Sequence, residues 1–119
     1  MNWYLAKITY RIVCGDGRHT AQFDEQLRLI AADDEAEALD KARSIGYREE
    51  ESFYNLKQQL VQWQFIDVPE LHLLNVLIDG AELYSRITEV DDPENYIAWT
   101  RHKAEILKEN HGQQLLHII

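Results

Sequence analysis

The chain has 119 residues, of which 45 % are hydrophobic and 28 % are charged, and this composition is typical of one globular domain with its own core. Its 21 acidic and 12 basic residues give a formal net charge of −9. Because a negative field repels phosphate groups, we expect neither a nucleic acid nor an anionic membrane as a partner. A basic protein partner stays open.

The N-terminus, the lengths of the apolar segments and the single cysteine bear on the compartment. The first residues lack a basic stretch followed by an apolar run, and no apolar segment approaches the roughly 18 residues of a spanning helix. Cys14 has no second cysteine with which to form an intramolecular disulfide, which agrees with a reducing compartment. The sequence therefore predicts a cytoplasmic protein.

Two alternating stretches predict a β-hairpin. Residues 3–14 place Tyr4, Ala6, Ile8, Tyr10 and Ile12 on one face, and residues 23–31 place Phe23, Glu25, Leu27, Leu29 and Ala31 on one face. Gly15 and Gly17 allow a turn between them. A register with Ile12 opposite Phe23 would make the two apolar faces coincide and would set Tyr10 opposite Glu25.

A helix is expected directly after the second strand. Asp33 and Asp34 can accept hydrogen bonds from the first free N–H groups, and small apolar residues recur at three- and four-residue steps as far as Ile45. Gly46 then offers a left-handed stop. The alanines on the inner side imply close packing against a sheet.

The second half predicts the same pattern again. Residues 47–59 are expected to form a loop, residues 60–68 a third strand ended by Pro69, residues 69–79 one or two helical turns, residues 81–90 a fourth strand, and residues 92–112 a second helix. The predicted fold is a single α+β domain, residues 1–119, with an antiparallel four-stranded sheet in β-β-α-β-β-α order and both helices on one face.

The tail and the outward face of this sheet are apolar. The apolar tail, residues 113–119, predicts an extra C-terminal strand, which could add to the chain's own sheet or to that of a second copy. We therefore expect a homodimer interface that draws on the outward face and the tail: Trp3, Leu5, Tyr84, Leu115, Leu116, Ile118 and Ile119.

Three passages together resemble one small bacterial family, a domain of unknown function with the number forty-two eighty-eight. They are Trp3-Tyr4 at the start of the first strand, Phe23 to Gln26 with Ile30 to Ala38, and Asp79 to Arg86. The resemblance spans roughly residues 3–90 and implies a small cytoplasmic bacterial α+β protein. It brings no activity, cofactor or catalytic residue, and it places Trp3, Tyr4, Glu25 and Glu82 at the family's motif positions.

One group of residues could bind a small ligand. On the expected face Glu25 is the sole carboxylate among apolar neighbours, where a charge needs a partner. Tyr10 could donate a hydrogen bond to it, and Glu82 and Arg86 could complete a polar site on the sheet. The alternative is that Glu25 lies at the end of the sheet, in water or in a salt bridge.

No pattern indicates a catalytic centre. The five histidines and Cys14 show no short-spaced metal-ligand pair, and Gly-x-Ser-x-Gly, phosphate-loop and dinucleotide motifs are absent from the sequence. We expect no cofactor, no metal and no catalytic residue. The leading hypothesis is a non-enzymatic, self-associating interaction module. The alternatives are an acidic antagonist of a basic protein, as immunity proteins are, and a small-ligand binder that uses Glu25, Glu82 and Arg86.

Overall fold

The computed structural model describes the backbone of residues 1–118 and the side chains of residues 1–111. The chain divides into two compact units, Met1–Ser85 and Arg86–Ile119. Each unit is described by itself.

The first unit contains a four-stranded antiparallel sheet and one helix. In chain order the elements are β1 (Asn2–Cys14), β2 (Gln22–Ala32), α1 (Glu35–Arg48), β3 (Glu51–Tyr54) and β4 (Leu60–Leu74). The strands lie in the order β2-β1-β4-β3, and every neighbouring pair is antiparallel. The predicted α+β class, with four antiparallel strands, is confirmed.

The second unit contains α2 (Pro93–Ile118). Asp92 Oδ1 accepts a hydrogen bond from Asn95 N at 3.1 Å, so the predicted aspartate cap and the proline in the first turn are both present. The extra C-terminal strand is wrong, because the backbone of residues 113–118 continues α2. Ile119 and the side chains of Leu115, Leu116 and Ile118 lie outside the described residues.

The core lies between β1, β2 and α1. Tyr4, Ala6, Ile8 and Tyr10 of β1 are all buried, as their alternation predicts. From α1, Ala38 and Ala42 are fully buried and pack against Tyr4, Ala6, Ile30 and Ala32. The small alanine side chains allow the helix to lie close to the strands, which confirms the expected packing.

The expected register of the hairpin is wrong by one residue. Arg11, and not Ile12, lies opposite Phe23, so Tyr10 faces Asp24. Since a shift of one residue moves every side chain to the other face, β2 buries Ile30 instead of the predicted Leu29. The cause is a tertiary contact: the alanines of α1 cover the end of β2 that carries Ile30 and Ala32, and at the far end of that face polar side chains replace the core.

The later strands also differ from the expected ones. β3 occupies residues predicted as loop, while residues 81–90 contain no regular element instead of the predicted fourth strand. β4 continues past Pro69 to Leu74, where helical turns were expected. Two shifts in the β1–β4 register, between Lys7 and Thr9 and between Thr9 and Tyr10, form a bulge beside this proline. A bulge tolerates proline because the ladder is already interrupted there.

Candidate functional site

The face of the sheet opposite α1 carries both apolar and charged side chains. Alternation places Leu5 and Lys7 of β1 on this face, and their partners in the register add Leu29 and Leu27 of β2. We call it the outer face. It combines an apolar strip on β2 with a charged cluster between β1 and β4.

The apolar strip consists of Phe23, Leu27 and Leu29 on the edge strand β2. Their side chains are 57 %, 52 % and 51 % exposed. Single exposed apolar residues are common, but these three share one face of one strand, with Glu25 between them. The strip therefore offers an apolar surface at the edge of the sheet that Glu25 interrupts between Phe23 and Leu27.

The charged cluster is centred on Lys7. Its Nζ lies 2.8 Å from Glu70 Oε2 on β4 and 4.0 Å from Glu25 Oε1 on β2. The Lys7 side chain is only 14 % exposed, whereas that of Glu25 is 60 % exposed. The partly buried Lys7 side chain thus links three strands through two carboxylates, and Glu25 is the most exposed of the three residues.

Tyr84 lies against the β4 side of this cluster. Its hydroxyl donates to Glu70 Oε1 at 3.3 Å, and its ring centroid lies 5.1 Å from that of His72. Two buried polar atoms nearby, Thr9 Oγ1 and His72 Nε2, have no hydrogen-bond partner within the described part of the chain. The Tyr84 side chain therefore covers the charged cluster on its β4 side.

The charged cluster is poorly suited to proton transfer. The hydrogen bond with Glu70 and the charge of Glu25 raise the pKa of Lys7 against the opposing effect of its desolvation. The same hydrogen bond lowers the pKa of Glu70. Both shifts move away from neutral pH, so the pair stays charged, while a general acid or base needs a pKa near the working pH. A structural role fits these groups better.

The structure does not bring all four predicted ligand-binding residues together. Glu25 lies on the outer face, whereas Tyr10 is buried on the helix face, where its hydroxyl donates to Gly46 O at 2.8 Å. Burial, and then the nearby charge of Glu49, raise the pKa of Tyr10. Glu82 is exposed, and Arg86 belongs to the second unit.

A polar network on the helix face was missed from the sequence. Asp24 Oδ2 accepts hydrogen bonds from Gln26 Nε2 at 2.8 Å and from Trp63 Nε1 at 3.1 Å. Arg28 Nη2 donates to Gln26 Oε1 at 2.8 Å and lies 2.9 Å from Glu49 Oε2. The signal was the polar alternation Asp24, Gln26, Arg28, whose two-residue spacing puts all three side chains on one face.

Metal ligands do not converge in the described residues, where no group of three His, Cys, Asp or Glu side chains is placed to hold an ion. No helix in that part of the chain is both long and apolar enough to cross a membrane. A surface depression of about 180 Å³ is lined by residues of β3 and β4 together with Glu50.

Comparison with known proteins gives a match to a family. The model of the family described as "Domain of unknown function (DUF4288)" matches residues 3–85, which is the family that the sequence motifs resemble. No curated protein and no solved structure matches the chain. The matched range contains every residue of the apolar strip and of the charged cluster.

Proposed function

The chain belongs to the family described as "Domain of unknown function (DUF4288)", and because that description gives no function, we propose one from the surface of the chain itself. The proposed function is that of a non-enzymatic interaction module that self-associates through the outer face of its sheet. The observation that carries this proposal is the apolar strip of Phe23, Leu27 and Leu29, half-exposed on a strand at the edge of the sheet. An edge strand with an apolar face is a surface that pairs readily with another chain.

The energy of covering the strip sets the strength to expect. Covering a side chain of this size that is half-exposed contributes roughly 1 kcal/mol, so three from each copy contribute about 6 kcal/mol in a symmetric dimer. Association costs at least about 4 kcal/mol in lost freedom of motion. The strip alone would support only weak association, and a stable dimer needs further contacts beside it.

The charged cluster supports the same function. Lys7 is held between Glu70 and Glu25, and its pKa and that of Glu70 shift away from neutral pH. An ion pair of this kind fixes the relative position of β1 and β4 without offering a group for catalysis. It gives the sheet a rigid surface next to the strip.

The test is the molar mass of the purified chain from micromolar to millimolar concentration, measured by light scattering and native mass spectrometry. The wild-type protein should shift from monomer to dimer, and Leu29→Lys should move that shift to at least tenfold higher concentration. Leu56→Lys is the matched control: it makes the same change of charge at a fully exposed loop position and should leave the mass curve unchanged. A wild-type protein that stays monomeric throughout would contradict the proposal.

Ionic strength separates this function from that of an acidic antagonist. Burial of apolar side chains changes little with salt, whereas binding of a basic protein by a chain of charge −9 weakens steeply. A dimer that persists in high salt supports self-association. Tight, salt-sensitive capture of a basic protein by a chain that remains monomeric would favour the antagonist instead.

A further inference from the structure

The edge strand β2 has a sequence that is complementary to itself. We propose that β2 pairs antiparallel with β2 of a second copy about a two-fold axis at Gln26, so that two four-stranded sheets join into one of eight strands. This inference rests on the proposed self-association and specifies its geometry. It uses the 11-residue edge of β2, whose only strand neighbour in the described part of the chain is β1.

Charge complementarity selects the axis. With Gln26 opposite Gln26 of the partner subunit, Asp24 faces Arg28 of the partner subunit, and the two-fold symmetry repeats this ion pair. On the outer face the same register sets Phe23 opposite Leu29 of the partner subunit and Leu27 opposite Glu25 of the partner subunit, so that the apolar strips meet at Phe23 and Leu29. Within each pair, the two side chains also lie on the same face of the joined sheet.

The neighbouring registers that keep the faces aligned are worse. An axis at Leu27 sets Asp24 opposite Ile30 of the partner subunit and loses both ion pairs. An axis at Glu25 brings that residue against Glu25 of the partner subunit, and like charges directly opposite one another are destabilising. The side chains therefore favour the axis at Gln26 over both alternatives.

Asp24 and Arg28 can make this contact without giving up the contacts they have. Both known hydrogen bonds to the Asp24 side chain use Oδ2, and the contacts of Arg28 use Nε and Nη2. Within residues 1–111, Asp24 Oδ1 and Arg28 Nη1 have no described partner. Gln26 joins the two residues in each copy and so fixes both side chains before association.

The opposite edge of the sheet explains why assembly would end at two copies. At that edge β3 has only four residues, begins with Glu51 directly after Glu49 and Glu50, and pairs with residues 60–63 of β4. Short strands and charged side chains are the usual protection of a sheet edge. The joined sheet would expose its two β3 strands and, beyond Trp63, residues 64–74 of each β4, where Pro69 has no N–H to donate.

Charge reversal tests the register. Asp24→Lys places like charges opposite each other in a homodimer, and so does Arg28→Glu, so each variant alone should dimerise at least tenfold more weakly than the wild-type protein. A mixture of the two restores both ion pairs, Lys with Glu and Arg with Asp. Native mass spectrometry should therefore show a heterodimer in the mixture. If each variant dimerises as the wild type does, the proposed pairing is overturned.

Cysteine cross-linking is a second test that leaves both charges in place. In a Cys14→Ser background, Gln26→Cys should give a disulfide-linked dimer on mild oxidation, because the two positions meet at the axis. The control is Leu29→Cys: it is more exposed, but the two copies of this position would lie about 20 Å apart in the joined sheet. Cross-linking through the Leu29 position alone would overturn edge pairing.

The outcomes separate the inference from the proposed function. In one outcome Leu29→Lys disrupts the dimer, but neither charge reversal weakens it and Gln26→Cys does not cross-link it. That outcome would leave self-association in place and reject pairing of β2. A wild-type chain that is monomeric at every concentration would reject both.

Discussion

Replacement of Gly46 by alanine tests the close packing of α1 against the sheet. Gly46 is buried inside α1, two residues before the helix ends at Arg48, so the sequence-based prediction that it stops the helix is wrong. The reason for glycine at this position is the ring of Phe65 on β4. A Cβ atom on residue 46 would lie 2.3 Å from Phe65 Cε1 and 2.5 Å from Phe65 Cδ1.

Two opposing effects set the magnitude of Gly46→Ala. Alanine is favoured over glycine inside a helix by about 1 kcal/mol. Against this, the Phe65 ring must move, and overpacking of this kind costs about 1–3 kcal/mol. Movement also weakens the edge contacts of Phe65 with Tyr10 at 5.9 Å and with Tyr47 at 4.6 Å. Each such aromatic pair contributes roughly 0.5–1.5 kcal/mol. We expect a net loss of about 1–3 kcal/mol in the free energy of unfolding.

Urea denaturation followed by tryptophan fluorescence measures this loss. Phe65→Ala provides the matched background, because removal of the ring leaves only the helix propensity of the new alanine. In that background Gly46→Ala should stabilise the protein by up to about 1 kcal/mol. If Gly46→Ala stabilises the protein that retains Phe65, the close approach of helix and ring does not exist as described.

Two further substitutions test the cap of α1 and the charged cluster. Asp34→Ala should lower the free energy of unfolding by about 1 kcal/mol, because Asp34 Oδ1 accepts from Glu37 N at 2.8 Å at the start of α1; an unchanged urea midpoint would contradict this. For Glu70→Gln we expect the free energy of unfolding to depend less on pH under acidic conditions. The pKa of Glu70 is lowered in the folded state by Lys7, so its contribution to stability is complete above its ordinary pKa of about 4.5 and disappears as the pH falls through the lower folded value. The stability difference between wild type and Glu70→Gln, measured by urea denaturation, should shrink as the pH falls below that point.

The sequence predicted β1 and the start of α1 correctly because one pattern dominated in each. The side of β1 that carries Tyr4, Ala6, Ile8 and Tyr10 is apolar throughout, whereas the other side carries Lys7, Thr9 and Arg11. At the start of α1, Asp34 accepts a hydrogen bond from the helix backbone, and Glu37 Oε2 accepts one from Asp33 N at 2.9 Å. These reciprocal bonds are local, so local sequence is sufficient to predict them.

β2 could not be oriented in this way because both of its faces have apolar residues. One face presents Leu27 and Leu29, and the other presents Ile30 and Ala32. The choice between them depends on where the alanines of α1 lie, which is a tertiary contact. The sequence predicts too short a β4 for a similar reason. Proline ends most strands, and only the pairing with β1 creates a bulge that accepts Pro69.

The register of β2 also decides what Glu25 does. In the predicted register it was a carboxylate in the core that needed an explanation from Tyr10; in the observed register it is an exposed group 4.0 Å from the Lys7 ammonium, on the outer face. A charge at that position interrupts the apolar strip between Phe23 and Leu27, and it would carry a cost against Glu25 of a second copy. The observed register thus converts an apparent ligand-binding residue into one that restricts how two copies of β2 can meet, and it leaves Gln26 as the favoured axis.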